Sequence, residues 1–288
     1  MMSPSSFMTA VNHSKLVSVL KQNRRWSLDG TFRSAPKPKR DTICSLIIRE
    51  HLRKMQKFVI YLLSIAFFYE QTNGFNDKFR LKYTVMKTLP ILCLALFVHF
   101  GWHNSNVKTL RRRFLLVAAL LCAACGDFVI SIRENADQSF ALSALFFGIA
   151  HIFYMAFLSA HFRRLSIPLA LCCASYVLLL NLRFLSPHFA SHPFSTFVLF
   201  VYSLVLSTAF VVSGSLVFRG TLFQSPFQKY NLMHFVGYCV FCVSDTLLLL
   251  EHAGVNLSCH KEKIILSTYY LAQFLIVRGA LETENQAN

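Results

Sequence analysis

The sequence predicts an all-α protein, a polytopic membrane bundle of about eight transmembrane helices. Three observations carry the prediction. Of 288 residues, 55% are hydrophobic and only 15% are charged, against about 25% charged in an ordinary soluble domain. The mean hydropathy is positive, at +0.47. The apolar residues, with 29 Phe among them, gather into runs near the ~20 residues that a helix needs to cross about 30 Å of hydrocarbon.

Those runs lie at 57–70, 83–100, 114–132, 140–158, 165–185, 195–217, 232–252 and 263–281. The first is short and flanked by charge. Pro90 and Pro168 stand near span ends, and membrane helices tolerate proline where neighbours satisfy the freed backbone groups. No long polar domain interrupts the series, so 57–281 reads as one transmembrane domain and 282–288 as a short tail. Asp127 and Asp245 fall at similar points of the third and seventh spans, which suggests a four-plus-four internal repeat.

The net charge of +16 raises the question of nucleic acid, and its distribution answers it. Twelve of the 29 Lys and Arg lie in residues 1–57. The connections 101–113, 159–164 and 218–231 carry more basic residues than the opposite set. This asymmetry places both termini in the cytosol and predicts no nucleic-acid partner. Asn256-Leu257-Ser258 is a glycosylation sequon on the other side. Residues 1–56 form a basic, Ser-rich extension, poor in acids. Its composition fits a disordered cytosolic tail that touches anionic lipid, and it overlaps with that of a mitochondrial transit peptide.

Most of the nine cysteines fall inside spans, which argues against a disulfide framework. Cys122-x-x-Cys125 and Cys239-x-x-Cys242 each precede an Asp by about a turn. Without an aqueous His/Cys set beside them they read as small residues of packed helices, and no metal site is expected.

The intramembrane ionisable residues carry the functional argument. Each costs about 2.5–3.5 kcal/mol at the centre of a helix, so each faces the bundle interior or a wet cavity. They are Lys87 in span two, Asp127 in span three, His151 in span four and Asp245 in span seven, joined by Tyr154, Tyr269, Tyr270 and Gln273. The alternating direction of the spans puts Lys87, Asp127, His151, Tyr269, Tyr270 and Asp245 in one half of the bilayer, so that all line one cavity. Structural readings stand beside this one: Asp127 as an ion-pair partner of Lys87 or His151, His151 as a satisfied core histidine, the tyrosines and Gln273 as interhelical hydrogen-bond partners.

No Gly-x-Ser-x-Gly, His-Glu-x-x-His or phosphate-cradling glycine loop occurs. Desolvation raises the pKa of a buried carboxyl, and a second carboxylate nearby raises one of the pair further. Two buried carboxylates therefore supply an acid and a base near neutral pH. That set suits hydrolysis of an acid-labile ether. It also suits a proton-coupled carrier, and a non-catalytic lipid-binding protein is the third class.

Five segments resemble the YhhN-like membrane family, which includes the lysoplasmalogenases. They are Lys87-Thr88-Leu89-Pro90, Cys125-Gly126-Asp127, the helix of Gly148, His151 and Tyr154, Gly237-x-x-x-Phe241-x-x-Ser244-Asp245, and Tyr269-Tyr270-Leu271-Ala272-Gln273. They run in the family's order across 57–281. Thr88 stands where the family pattern has proline, and the basic N-terminal extension lies outside that pattern. The resemblance implies hydrolysis of the vinyl ether bond of lysoplasmalogen, yielding a fatty aldehyde and glycerophosphoethanolamine or glycerophosphocholine. It implies Asp127, Asp245 and His151 as the catalytic set. Lys87 would hold the phosphate, and Tyr154, Tyr269, Tyr270 and Gln273 would orient headgroup or water. No cofactor or metal is implied. The partners are the lysophospholipid substrate and membrane lipids, and the implied lipid metabolism points to the endoplasmic reticulum. The oligomeric state is left open.

Overall fold

The computed structural model describes residues 58–75, 80–101, 107–132, 136–160, 162, 164–218, 226–255 and 260–287. The expected N-terminal extension 1–56 and the Asn256 sequon lie outside the described residues. Among the described residues, seven helices are long and apolar enough to cross a membrane, with one shorter apolar helix before them. We label them α1 (Phe58–Gln71), α2 (Arg80–Gly101), α3 (Val107–Ile132), α4 (Ala136–Leu158), α5 (Ile167–Leu180), α6 (Pro193–Phe218), α7 (Pro226–His252) and α8 (Lys261–Ala287). Most helices overrun the expected spans by a few residues at one or both ends, whereas α5 stops short of its expected end at 185. In α8 the continuation takes in residues 282–287, which extend the last helix where the sequence suggested a tail.

Neighbouring helices pack as α2–α3–α4 and α6–α7–α8, and the two sets close on each other through α4–α6 and a lighter α8–α2 contact. The order of neighbours among these six helices is the same in both sets, while α1 and α5 differ, α1 bridging α2 and α8 and α5 packing on α6. Helix α1 explains the lighter contact. Its Phe58 ring lies 4.7 Å from Phe97 of α2 and 5.0 Å from Phe274 of α8, and its Tyr61 hydroxyl donates to the Tyr270 carbonyl of α8 at 2.7 Å. Helix α5 is peripheral, packed on α6 with no buried residue in its α-helical part. Pro168 sits in its first turn, where a missing N–H costs nothing. Its far end relaxes into a π-helical turn at Asn181–Leu185 and a 3-10 turn at Ser186–His188. There the Asn181 amide donates to the Ser203 hydroxyl of α6 at 3.0 Å.

The most extensive contact joins α7 to α8, and glycine makes it possible. A Cβ on Gly237 would stand 2.9 Å from the backbone nitrogen of Ile276, and one on Gly279 would stand 2.9 Å from the backbone nitrogen of His234. Small residues let membrane helices approach this closely, where packing rather than water drives association. Gly237→Ala and Gly279→Ala should therefore destabilise the bundle by about 1–3 kcal/mol through overpacking, despite alanine's better helix propensity. Gly148→Ala, whose Cβ would meet its nearest neighbour at an ordinary 3.6 Å, should not. Thermal unfolding of the three variants in detergent checks the contrast.

Candidate active site

The site begins at a proline inside a helix. Pro90 lies within α2 and has no N–H to give the Met86 carbonyl one turn back. In that turn the Tyr270 hydroxyl donates to the adjacent Lys87 carbonyl at 2.7 Å. Thr88 folds its hydroxyl onto the carbonyls of Thr84 and Val85, at 3.1 and 3.0 Å. Lys87 is thereby fixed at the root, and its Nζ reaches to 3.7 Å from Asp127 Oδ1 on α3. Asp127 is buried, and its other oxygen accepts the Tyr269 hydroxyl of α8 at 2.7 Å. An ammonium and a phenol from two helices thus hold a carboxylate on a third.

Asp245 is held differently. The Tyr202 hydroxyl of α6 donates to its Oδ2. Among the described residues no Lys or Arg forms an ion pair with it. The preceding Ser244 is buried and donates to the Ile265 carbonyl of α8 at 2.9 Å, which fixes the turn that presents Asp245.

Asp245 forms part of the wall of a cavity of about 340 Å³ between α4, α5, α6 and α7. The rest of the wall is almost entirely apolar, with Phe147, Leu169, Leu206, Phe210 and Leu249 among its members. On the α5 side the cavity is bounded by a 2.8 Å hydrogen bond between the hydroxyls of Tyr176 and Thr246. Asp127 is not in this wall. Phe147 stands between, since its ring lines the cavity, lies edge-on to Tyr269 at 5.9 Å and packs over Gly126. That packing explains the glycine before Asp127, for a Cβ there would meet the Phe147 ring at 3.1 Å.

Helix geometry sorts the site into layers. We count 1.5 Å per residue from the ends of α3 and α7 and the starts of α2, α4, α6 and α8, which share one membrane face. Asp127 then lies ~8 Å deep, Lys87 and Asp245 ~10 Å, Tyr269 ~12 Å and Tyr202 ~14 Å. The sequence suggested one depth for both carboxylates, Lys87 and His151. The structure brings Lys87, Asp127 and Tyr269 into contact, with Asp245 beyond Phe147. His151 bonds to neither carboxylate, and its ring stands 6.1 Å from that of Tyr202.

Tyr154 and Gln273 satisfy each other, hydroxyl to Oε1 at 2.8 Å, and so tie α4 to α8. His151 is buried with neither ring nitrogen hydrogen-bonded. Its ring stands among aromatics: Phe241 at 4.7 Å, Tyr238 at 5.7 Å and Tyr202 at 6.1 Å. Two more unpartnered buried atoms adjoin it, the Tyr238 hydroxyl and, deeper, His234 Nε2, whose ring lies 5.3 Å from Tyr238. The other nitrogen of His234 meets the Ser213 hydroxyl at 3.0 Å. These four atoms form a string that runs from beside Tyr202 toward His234.

The sequence reading did not single out Tyr202, Tyr238 or His234. A signal existed for the last two. His234, Tyr238, Phe241 and Asp245 recur at three- and four-residue steps, which is one face of α7. Tyr202 had no such mark.

The Lys87–Asp127 pair yields a stability prediction. Breaking a buried pair from one side costs about 3–5 kcal/mol, while replacing both partners with apolar residues is often close to neutral. Lys87→Met should unfold at markedly lower temperature than wild type, and Lys87→Met/Asp127→Leu should recover most of the loss. A melting series in detergent reads both.

Comparison with known proteins places this arrangement. No curated protein and no solved structure matches the chain. The model of the YhhN family matches residues 82–280, from α2 into α8. That stretch contains both carboxylates and each layer around them, and by it the chain belongs to the YhhN family.

Proposed function

We propose that this chain is a hydrolase of the lysoplasmalogenase type, cleaving the vinyl ether bond of an alkenyl lysophospholipid within the bilayer. The observation that carries the reading is the pairing of unlike carboxylates. Asp245 faces an apolar cavity with only a phenol beside it, and Asp127, behind Phe147, is held by Lys87 and Tyr269. A cavity of about 340 Å³ is within the range of small-molecule sites. Its walls suit a hydrocarbon chain.

The steps follow from that asymmetry. Asp245, without a cation beside it, is the acid, and its proton goes to the β-carbon of the vinyl ether as the alkene π pair forms the new C–H bond. The positive charge left on the α-carbon and ether oxygen is stabilised by the Asp245 carboxylate and by the field of Asp127, which is paired with Lys87. Water then bonds through oxygen to the α-carbon and returns its proton to Asp245. Finally the hemiacetal C–O bond to glycerol breaks. Its electron pair stays on the glycerol oxygen, which takes a proton through Asp245 from the hemiacetal hydroxyl. The products are fatty aldehyde and the glycerophospho-base, and water is the only other reactant.

His151 acts from behind Tyr202. Its unpartnered nitrogens, with Tyr238 and His234, hold and orient the water. The water thus reaches the carboxylates from the side opposite to the lipid-filled cavity. Tyr154 and Gln273 serve as positioning residues through their mutual bond, and Tyr270 through the Lys87 backbone. In this reading both termini face the cytosol, as the surplus of Lys and Arg on that side requires. The rival reading is a carrier, which moves its substrate unchanged and yields no aldehyde.

Asp245→Asn and Asp127→Asn should each abolish aldehyde release from alkenyl-lysophosphoethanolamine while the protein stays folded. Tyr202→Phe should lower kcat by about 10²-fold or less, as expected for loss of one positioning hydrogen bond to an acid. Assay of the purified protein in detergent tests this, and near-native turnover by either Asn variant sinks the two-carboxylate mechanism.

A further inference from the structure

A second, smaller cavity adjoins the first and shares three wall residues with it, Leu185, Leu199 and Leu249. Its character is the opposite. Asp137 at the start of α4, His188 and His192 between α5 and α6, and His252 at the end of α7 stand in its wall. His192 Nε2 lies 3.3 Å from one oxygen of Asp137 and His252 Nε2 3.5 Å from the other. The His188 and His252 rings are 6.5 Å apart. His192 and Asp137 are about half exposed, so the group sits at an open mouth. None of these residues takes part in the chemistry above.

We propose that this cluster is the headgroup subsite for a zwitterionic lysophospholipid, with the imidazoles of His188, His192 and His252 on the phosphate and the Asp137 carboxylate on the terminal ammonium. The position of the ether bond at Asp245 is taken from the hydrolase reading. The placement of the headgroup follows from length. Asp245, Leu249 and His252 lie on one face of α7, the first two in the wall of the large cavity and the last two in that of the small one. Seven residues of helix separate Asp245 from His252, a rise of about 10 Å. An extended chain advances about 1.27 Å per bond. From the ether oxygen through glycerol to phosphorus is five bonds, about 6 Å, and to the ammonium nitrogen four more, about 11 Å in all. A vinyl ether at Asp245 therefore sets its phosphate and amine in the mouth where the histidines and Asp137 stand, with its hydrocarbon running inward toward Leu169 and Phe210. Chemistry agrees with length, since imidazole N–H groups donate to phosphate oxygens and a carboxylate accepts from an ammonium. The assignment places phosphate binding at the mouth rather than at Lys87, and the ligand's ammonium takes over the Asp137 carboxylate from His192 and His252.

The test compares two substrates with one reacting bond: alkenyl-lysophosphoethanolamine, and an alkenylglycerol of the same chain that lacks the phosphate. The wild type should favour the phosphorylated substrate several-fold in kcat/KM. In His192→Ala/His252→Ala and in Asp137→Asn that ratio should fall toward one. A misfolded variant lowers both rates and leaves the ratio unchanged, so a preserved ratio overturns the proposal. A binding arm does not depend on turnover. The thermal stabilisation of the wild type by acyl-lysophosphoethanolamine should exceed that by monoacylglycerol of the same chain, and His192→Ala/His252→Ala should abolish the excess. Equal stabilisation by the two lipids overturns the subsite. So does equal stabilisation by inorganic phosphate, which would mark a free-anion site. If the wild type releases no aldehyde from either ether, the hydrolase reading fails while the binding arm still decides the subsite.

Discussion

A charged oxygen in hydrocarbon is the constraint on which the rest of this molecule depends. Each Asp placed at the centre of a membrane helix costs about 2.5–3.5 kcal/mol, and this bundle holds two. Neither is offset by neighbours on its own helix. Asp127 of α3 draws Lys87 from α2 and Tyr269 from α8, and Asp245 of α7 draws Tyr202 from α6. Satisfying both requires that α2, α3 and α8 meet at one depth and α6 and α7 at the same depth. The glycine contacts between α7 and α8, the Ser244 bond to α8 and the Tyr270 bond to the Lys87 carbonyl of α2 keep these helices in that register.

The two halves share a frame and differ in what fills it. The helix before each Asp-bearing helix supplies the partner, but α2 supplies an ammonium and α6 a phenol. The helix after α7 sends Tyr269 across the bundle to Asp127. The corresponding turn of α4 carries Ser143 and Ala144, both in the wall of the large cavity. Small side chains at that turn leave open the space beside Asp245. One carboxylate ends paired and enclosed, the other beside a lipid-sized cavity. A repeat of identical halves would give two ion pairs and no site.

Much of this was legible in the sequence, because hydropathy reports burial directly. The eight spans, the charged residues worth attention and the Lys87–Asp127 association all follow from asking what an apolar run does with an ionisable group. Two things were not legible. Tyr202 lies in a helix so uniformly apolar that a phenol there reads as lipid-facing or as core, and only the helix packing turns it toward Asp245. The surroundings of His151 were not legible because its neighbours Tyr202, Tyr238 and Phe241 come from two other helices. The mouth histidines went unremarked for a third reason. They come from three separate segments, and no spacing in the sequence links them.

The arrangement also bears on a difficulty that any intramembrane hydrolase faces. The cavity that admits the lipid chain is apolar, and a chain lying in it excludes water from that side. The unpartnered atoms of His151, Tyr238 and His234 belong to residues outside the cavity wall, and the His151 ring stands 6.1 Å from that of Tyr202. Polar atoms without protein partners are costly where they are dry, and they are retained here in a contiguous row rather than scattered through the bundle. Of the five such side-chain atoms among the described residues, four are in this row and the fifth, Ser143 Oγ, belongs to a residue of the cavity wall. Under the hydrolase reading proposed above, a row of this kind holds water where the reaction consumes it, and a lipid in the large cavity keeps water from the rest. Asp245 stands at the boundary between the two, which is where a proton donor must stand if carbon is to be protonated from one side and attacked by water from the other.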